Sequence, residues 1–228
     1  MLDWPVRKAM KRLVIAIDGP SGAGKGTISR TLAQTLNYRH IDTGAMYRAV
    51  GWKAHHEGLA LDDENAIVTV AQQADLNVEG GIVTIDGHDV TSAIRTPEAD
   101  KIAASVARLP RVREVLVARQ RAIGREGGVV MEGRDIGTVV FPHADVKVYL
   151  DADPDERARR RAADTSHSAS QAGQAAVAES LKARDKADST RQASPLTLAP
   201  DATLIDTTHL PIPAVVERVM ALVNAKLQ

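Results

Sequence analysis

Leu13-Val14-Ile15-Ala16-Ile17-Asp18-Gly19-Pro20-Ser21-Gly22-Ala23-Gly24-Lys25-Gly26-Thr27 is the stretch from which the rest of the chain can be placed. Five apolar residues read as a buried strand. The glycine-rich run then leads into a segment with Ile28, Leu32 and Leu36 at helical spacing. Strand, glycine loop and helix form the context of a phosphate-binding loop. The glycines let several backbone N–H groups converge on one anion, and the helix N-terminus behind them adds roughly half a positive charge. Gly19 to Thr27 therefore forms the expected triphosphate cradle, with Lys25 reaching the β- and γ-phosphates and the Thr27 hydroxyl facing Mg²⁺.

The general pattern has Ser or Thr directly after the lysine, whereas here Gly26 stands there and Thr27 follows. That ending resembles nucleoside monophosphate kinases rather than GTPases or ATPase motors. With 228 residues the chain can bury a proper core as one large domain or a domain with an insertion. Basic and acidic residues balance at 29 each and aromatics make up 3%, so neither a nucleic-acid surface nor a stacking platform is indicated. The absence of cysteine excludes disulfides, thiolate metal sites and thiol catalysis, and the seven histidines show no metal spacing. No apolar run has the roughly 18 residues of a membrane helix, so a cytoplasmic enzyme with no membrane partner is expected.

Further along, a strand over 38–41 leads to a helix capped by Asp42 or Thr43, with Met46, Val50 and Ala54 inward. A second helix opens at Asp62 or Asp63. From Leu76 to Val90 the pattern switches to short strands joined by two-residue turns at Gly80-Gly81 and Asp86-Gly87, an antiparallel insertion. Thr96-Pro97 and Pro110 start two more helices. Runs at 128–131 and 146–150 read as buried strands, and 202–205 reads as the last strand. Asp153-Pro154-Asp155-Glu156 reads as a capped helix start with a capping-box glutamate. Residues 164–176 have the composition of a mobile segment, a polar helix covers about 177–186, and a last helix begins near Pro213. Alternating buried strands and helices predict an α/β fold, a mostly parallel sheet with helices on both faces, plus the small inserted antiparallel sheet. Ligands of such sheets bind at the carboxyl ends of the strands, where the phosphate loop, Asp42–Arg48 and Glu132–Asp135 should meet.

Arginines cluster near that edge. Arg48, Arg113, Arg134, Arg157, Arg184 and Arg191 supply the forks that phosphoryl transfer uses on the moving phosphoryl group and on its acceptor. Arg134 stands out because it follows a buried strand directly in a Gly-Arg-Asp loop.

Several blocks taken together resemble bacterial cytidylate kinases: Ile17 to Thr27, Asp42-Thr43-Gly44-Ala45-Met46-Tyr47-Arg48, Ser92 to Thr96, Pro110-Arg111-Val112-Arg113, Gly133-Arg134-Asp135 through Pro142, and Arg184-Asp185 through Asp188 to Arg191. The resemblance implies a P-loop kinase fold and transfer of the ATP γ-phosphoryl to CMP or dCMP, with Mg²⁺, in a monomer. It implies a core over 12–42, 125–155 and 192–228, an acceptor-binding part over 43–124 with its insertion at about 76–91, and a lid over 156–191. Carried over, Ser105, Arg113 and Asp135 would read cytosine; Arg184 and Asp188 would hold the ribose; Arg48, Arg134 and Arg191 would grip the acceptor phosphate. Arg157, with Arg159, Arg160 and Arg161 beside it, would face ATP from the lid. Lys25, Arg134, Arg157 and Arg191 are thus the catalytic candidates. The chain departs from the family pattern at Met131-Glu132, most strongly in composition over 164–176, and over 1–11, which has no counterpart.

The residues themselves leave two rivals open. A kinase for another acceptor, such as UMP or a hydroxyl compound, would need an aspartate base in the hydroxyl case, for which Asp135 or Asp18 would serve. A nucleotide-gated binding protein would need a water-orienting residue and an effector loop, and no clear candidate for either stands in the sequence.

Overall fold

A computed structural model describes residues 12–164 and 173–228. The N-terminal arm over 1–11 and most of the stretch expected to be mobile lie outside the described residues. In chain order the core begins with β1 (Val14–Asp18), α1 (Lys25–Leu36) and β2 (Arg39–Asp42), followed by α2 (Thr43–His56) and α3 (Glu64–Gln73). Three short strands follow, β3 (Leu76–Asn77), β4 (Thr84–Ile85) and β5 (His88–Asp89), then α4 (Pro97–Val106) and α5 (Pro110–Gly124). The chain continues through β6 (Val129–Gly133), one turn of π-helix (Ile136–Val140), β7 (Val146–Asp151), α6 (Pro154–Ala162), α7 (Gln174–Thr190), β8 (Thr203–Asp206) and α8 (Ile212–Leu227).

The five long strands pair in parallel in the order β2-β6-β1-β7-β8, with β1 in the middle. Both faces are covered, and the period of two along each strand divides the core. Ile15, Ile17, Val130 and Val148 pack with α1 and α8, while Ala16, Val129 and Met131 face the cluster built by α2 to α5. Local chemistry sets the helix ends. Asp42 Oδ1 accepts the Ala45 N–H, Asp63 accepts that of Ala66, and Thr96 that of Ala99, each closing one of the open amides of a first turn.

Two turn expectations are revised. Asp86 and Gly87 both have positive φ and form a tight hairpin turn, but pairing of β3 with β4 stops at Asn77 and Thr84. Gly80-Gly81 therefore sits inside a longer connection, which leaves Ile82 exposed. At α6 the Asp153 side chain caps as expected, yet Glu156 does not reach back to the Asp153 N–H. The Thr208 hydroxyl accepts that proton, and Glu156 instead binds Arg159 and Arg160. The α6–α7 pair buries little apolar surface, centred on Ala158, Val177 and Leu181, and α7 runs one turn further at each end than its composition indicated.

Candidate active site

Parallel register brings the relevant strand ends side by side. Asp18 at the end of β1 lies beside Gly133 and Tyr149, and Asp42 at the end of β2 lies beside Glu132. The loops leaving these strands border one cleft of about 1050 Å³. Its floor is the phosphate loop, in which Gly24 adopts the left-handed conformation that starts α1. Lys25 folds back so that its Nζ donates to the Pro20 carbonyl at 2.7 Å. Burial, with Arg134 adding repulsion, pushes its ammonium down to about 7. The unusual Gly26 has a spatial reason: a Cβ there would lie 3.3 Å from the Glu132 carboxylate. Thr27 is exposed on the cleft, and Glu132 and Asp42 line it too. The Thr27 hydroxyl suits a hard divalent cation, whereas both Asp42 oxygens and one Glu132 oxygen are engaged with the Ala45 amide, Arg48 and His40.

At the other end of the cleft charges alternate. Arg113 donates to Asp135 Oδ2, and the Arg191 guanidinium approaches Asp135 Oδ1 at 3.8 Å and Asp188 Oδ1 at 3.9 Å. Arg134 Nε donates to Asp188 Oδ2 at 2.8 Å. Burial is the largest influence on Arg134 and opposes its charge, but Asp188, Asp185 and Glu132 together outweigh it and hold the guanidinium above its ordinary range. Likewise burial would raise Asp188, yet Arg134 and Arg184 keep its carboxyl below the usual range. Arg48 Nη2 donates to Asp42 Oδ2 at 2.8 Å. Tyr47 lies under Arg113, whose guanidinium carbon is 5.3 Å from the ring centroid.

The loop holding Asp135 is fixed from beneath. Asp18 is buried, and its two oxygens accept the Ile136 and Gly137 N–H groups at 2.8 and 2.7 Å. Burial, despite these bonds, raises its carboxyl to about 6.

Lys25, Thr27, Arg48, Arg113, Arg134, Asp135, Arg184, Asp188 and Arg191 thus all line one cavity. Four expected residues do not: Gly19 and Pro20, which precede the lining part of the loop, and Ser105 and Arg157. Ser105 points outward from α4 and its hydroxyl donates to the Lys101 carbonyl; one residue along a helix is a rotation of about 100°, and Ala104 holds the cleft-facing position instead. Arg157 lies beneath the phosphate loop rather than opposite it. Its guanidinium donates to the carbonyls of Ala152 and Ser21 and to Asp185, bracing the loop against α7.

A further wall was not foreseen. Thr207 to Ile212, leaving β8, border the cleft together with Arg159 and Arg160. Arg160 donates to the Thr207 hydroxyl and carbonyl, and the Thr207 hydroxyl donates to the Ala23 and Asp151 carbonyls. The segment follows a parallel strand, the same signal that marked the other loops.

The described residues contain no helix long and apolar enough to cross a membrane. A solved structure of an uncharacterized protein from Eubacterium ventriosum superposes with a TM-score of 0.52 at 10% identity, covering 94% of this chain and 99% of that one; the likeness concerns the fold alone. A cytidylate kinase from Solibacter usitatus is 48% identical over 219 residues, 95% of this chain and 94% of the relative. One from Caldanaerobacter subterraneus subsp. tengcongensis is 48% identical over 205 residues, 90% and 92% of the two chains. The family model described as cytidylate kinase matches residues 15–225, and with the phosphate loop and the arginine-lined cleft both inside that span, the chain belongs to the cytidylate kinase family.

Proposed function

We propose that the cleft binds both nucleotides of a CMP/dCMP kinase, which transfers the γ-phosphoryl of ATP to the acceptor phosphate by in-line displacement. The observation that carries the reading is the convergence of the phosphate loop and a set of arginines from separate segments on one cavity, which at about 1050 Å³ has room for more than one drug-sized ligand. In this reading the loop over 19–27 holds the triphosphate, and the wall at Thr207–Ile212 with Arg159 takes the donor's base end. Arg113 and Asp135 read cytosine: a carboxylate accepts its amino protons and a guanidinium donates to its ring acceptors. Arg48, Arg134 and Arg191 hold the acceptor phosphate, and Arg184 and Asp188 the ribose. Thr27 would hold Mg²⁺, which when bound neutralises phosphate charge.

No side chain has to remove a proton. The attacking phosphate oxygen, with a last pKa near 6, is already ionised at pH 7. Lys25 and the arginines orient the groups and stabilise charge on the equatorial oxygens. A hydroxyl acceptor would require a carboxylate base, and the two candidates are committed elsewhere: both oxygens of Asp18 hold backbone amides, and Asp135 is tied to Arg113. The three-part division into core, acceptor part and lid, a cytoplasmic location and a monomeric state belong to the same reading.

A coupled assay of ATP consumption with CMP, dCMP, UMP, AMP or no acceptor tests it; turnover that is fast only with the cytidine nucleotides is expected, and acceptor-independent hydrolysis would count against it. Arg134→Ala should lower kcat by about 10²–10³-fold, the loss typical of one oxyanion donor, while ATP still binds.

A further inference from the structure

Asp100 lies in the first half of α4, where an acid would ordinarily be explained by the helix dipole alone. Its carboxylate does more. Arg161 of α6 donates to Oδ2 at 2.7 Å, Arg184 of α7 lies 2.8 Å from Oδ1, and Arg48 of α2 approaches Oδ1 at 3.9 Å. Three guanidiniums from three helices thus converge on one half-buried carboxylate. Arg184 needs it: burial pulls its guanidinium below the ordinary range, Arg134 and Arg48 add repulsion, and Asp100 is the strongest opposing charge. The α6–α7 pair has an apolar core of only a few residues, so charged contacts carry much of its attachment to the rest of the molecule.

We propose that Asp100 is a positioning residue of the acceptor site, an internal counter-anion that ties α6 and α7 to α4 and holds Arg184 and Arg48 ready before the acceptor nucleotide arrives. The proposal rests on the reading that Arg184 and Arg48 serve the acceptor. Once the nucleotide phosphates are in place they supply the negative charge, so Asp100 matters most in the free protein and least in the nucleotide complex.

The test is Asp100→Asn, which keeps the shape and removes the charge. Two readouts are needed. In the nucleotide-free protein, amide hydrogen exchange over α7 (residues 174–190) should become faster than in the parent, and the difference should disappear when CMP and ADP are both bound. In steady state the acceptor KM should rise about tenfold, equivalent to about 1.4 kcal/mol, with kcat within about twofold and the ATP KM little changed. Asp100→Ser, smaller and also uncharged, should give the same two changes and serves as the test should the Asn variant fail to fold. Unchanged exchange over α7 in the free protein overturns the proposal, whatever the kinetics. So does faster exchange with an unmoved acceptor KM, since the bridge would then not serve the acceptor. Neither result touches the acceptor-site reading, which Arg113 and Arg134 variants judge on their own.

Discussion

Lys25 offers the sharpest test of how the empty site is prepared for a polyphosphate. Enclosed by the loop and facing Arg134, its ammonium is held at about 7 in the free protein. Bound phosphates reverse the balance and return it to the ordinary range above 10. At pH 8 a group with a pKa near 7 is about 90% neutral, so closing the loop on a nucleotide should draw in about 0.9 proton. The nucleotide phosphates are themselves ionised at that pH and contribute little. By linkage, affinity should weaken nearly tenfold for each pH unit above 8, and the uptake due to Lys25 should fall to about half a proton at pH 7. Isothermal titration of a non-hydrolysable ATP analogue, in buffers with different ionisation heats at one pH, reads the uptake directly. Lys25→Met should bind more weakly and take up no proton. Uptake near zero in the parent at pH 8, or the same uptake in Lys25→Met, would refute the reasoning.

Other consequences follow from the same geometry. Asp18, raised to about 6, keeps its proton in the folded protein between pH 4 and 6, where the unfolded chain has lost it; stability contributed by Asp18 therefore falls as pH rises through that window, by about 3 kcal/mol. Asp18→Asn should remove this slope, so the stability of parent minus variant, from urea titrations at pH 4 and pH 7, should drop by roughly that amount; a constant difference would show that Asp18 ionises normally. Gly22 has φ +82°, and a Cβ there would lie 2.9 Å from the Arg157 carbonyl oxygen. Gly22→Ala should cost about 1–3 kcal/mol of stability from backbone strain and weaken ATP, checked by thermal melts with and without nucleotide; a parent-like melt would mean the loop gives way freely. Asp135→Asn should raise the CMP KM about 10- to 100-fold and narrow the preference over UMP, and an unchanged CMP/UMP ratio in the coupled assay would take Asp135 out of base reading.

What was legible in the sequence was what local chemistry decides. The phosphate loop, the Asp42, Asp63 and Thr96 caps and the doubly buried strands each depend on residues a few positions apart, and each is found where expected, within a residue or two. Long-range placement was harder. Arg157 was expected to face ATP from the lid and instead braces the phosphate loop from beneath; no sequence pattern says which side of a loop a guanidinium occupies, and its partners Ser21 and Asp185 come from distant segments. Ser105 failed through a single step around α4, a rotation that residue type cannot reveal when Ala103, Ala104 and Ala107 all fit a cleft wall. Thr207–Ile212 carried no distinctive chemistry and became visible only as the segment leaving a parallel strand.

The alternation Arg113–Asp135–Arg191–Asp188–Arg134 explains how so many guanidiniums can face one cavity while it is empty. Left without partners, buried cations would either lose their protons or push the segments apart. Each carboxylate in the chain of pairs prevents that and also fixes the angle of its neighbours. On the proposed reading, ligand binding would be an exchange of anions more than a gain of new contacts: at Arg134 and Arg191, phosphate oxygens would take over interactions that carboxylates already satisfy. The net binding energy is smaller than the count of arginines suggests, while the geometry is set in advance. For in-line transfer between two anionic nucleotides that is the useful balance, because strong product binding would slow release and loose arginines would misalign the phosphates.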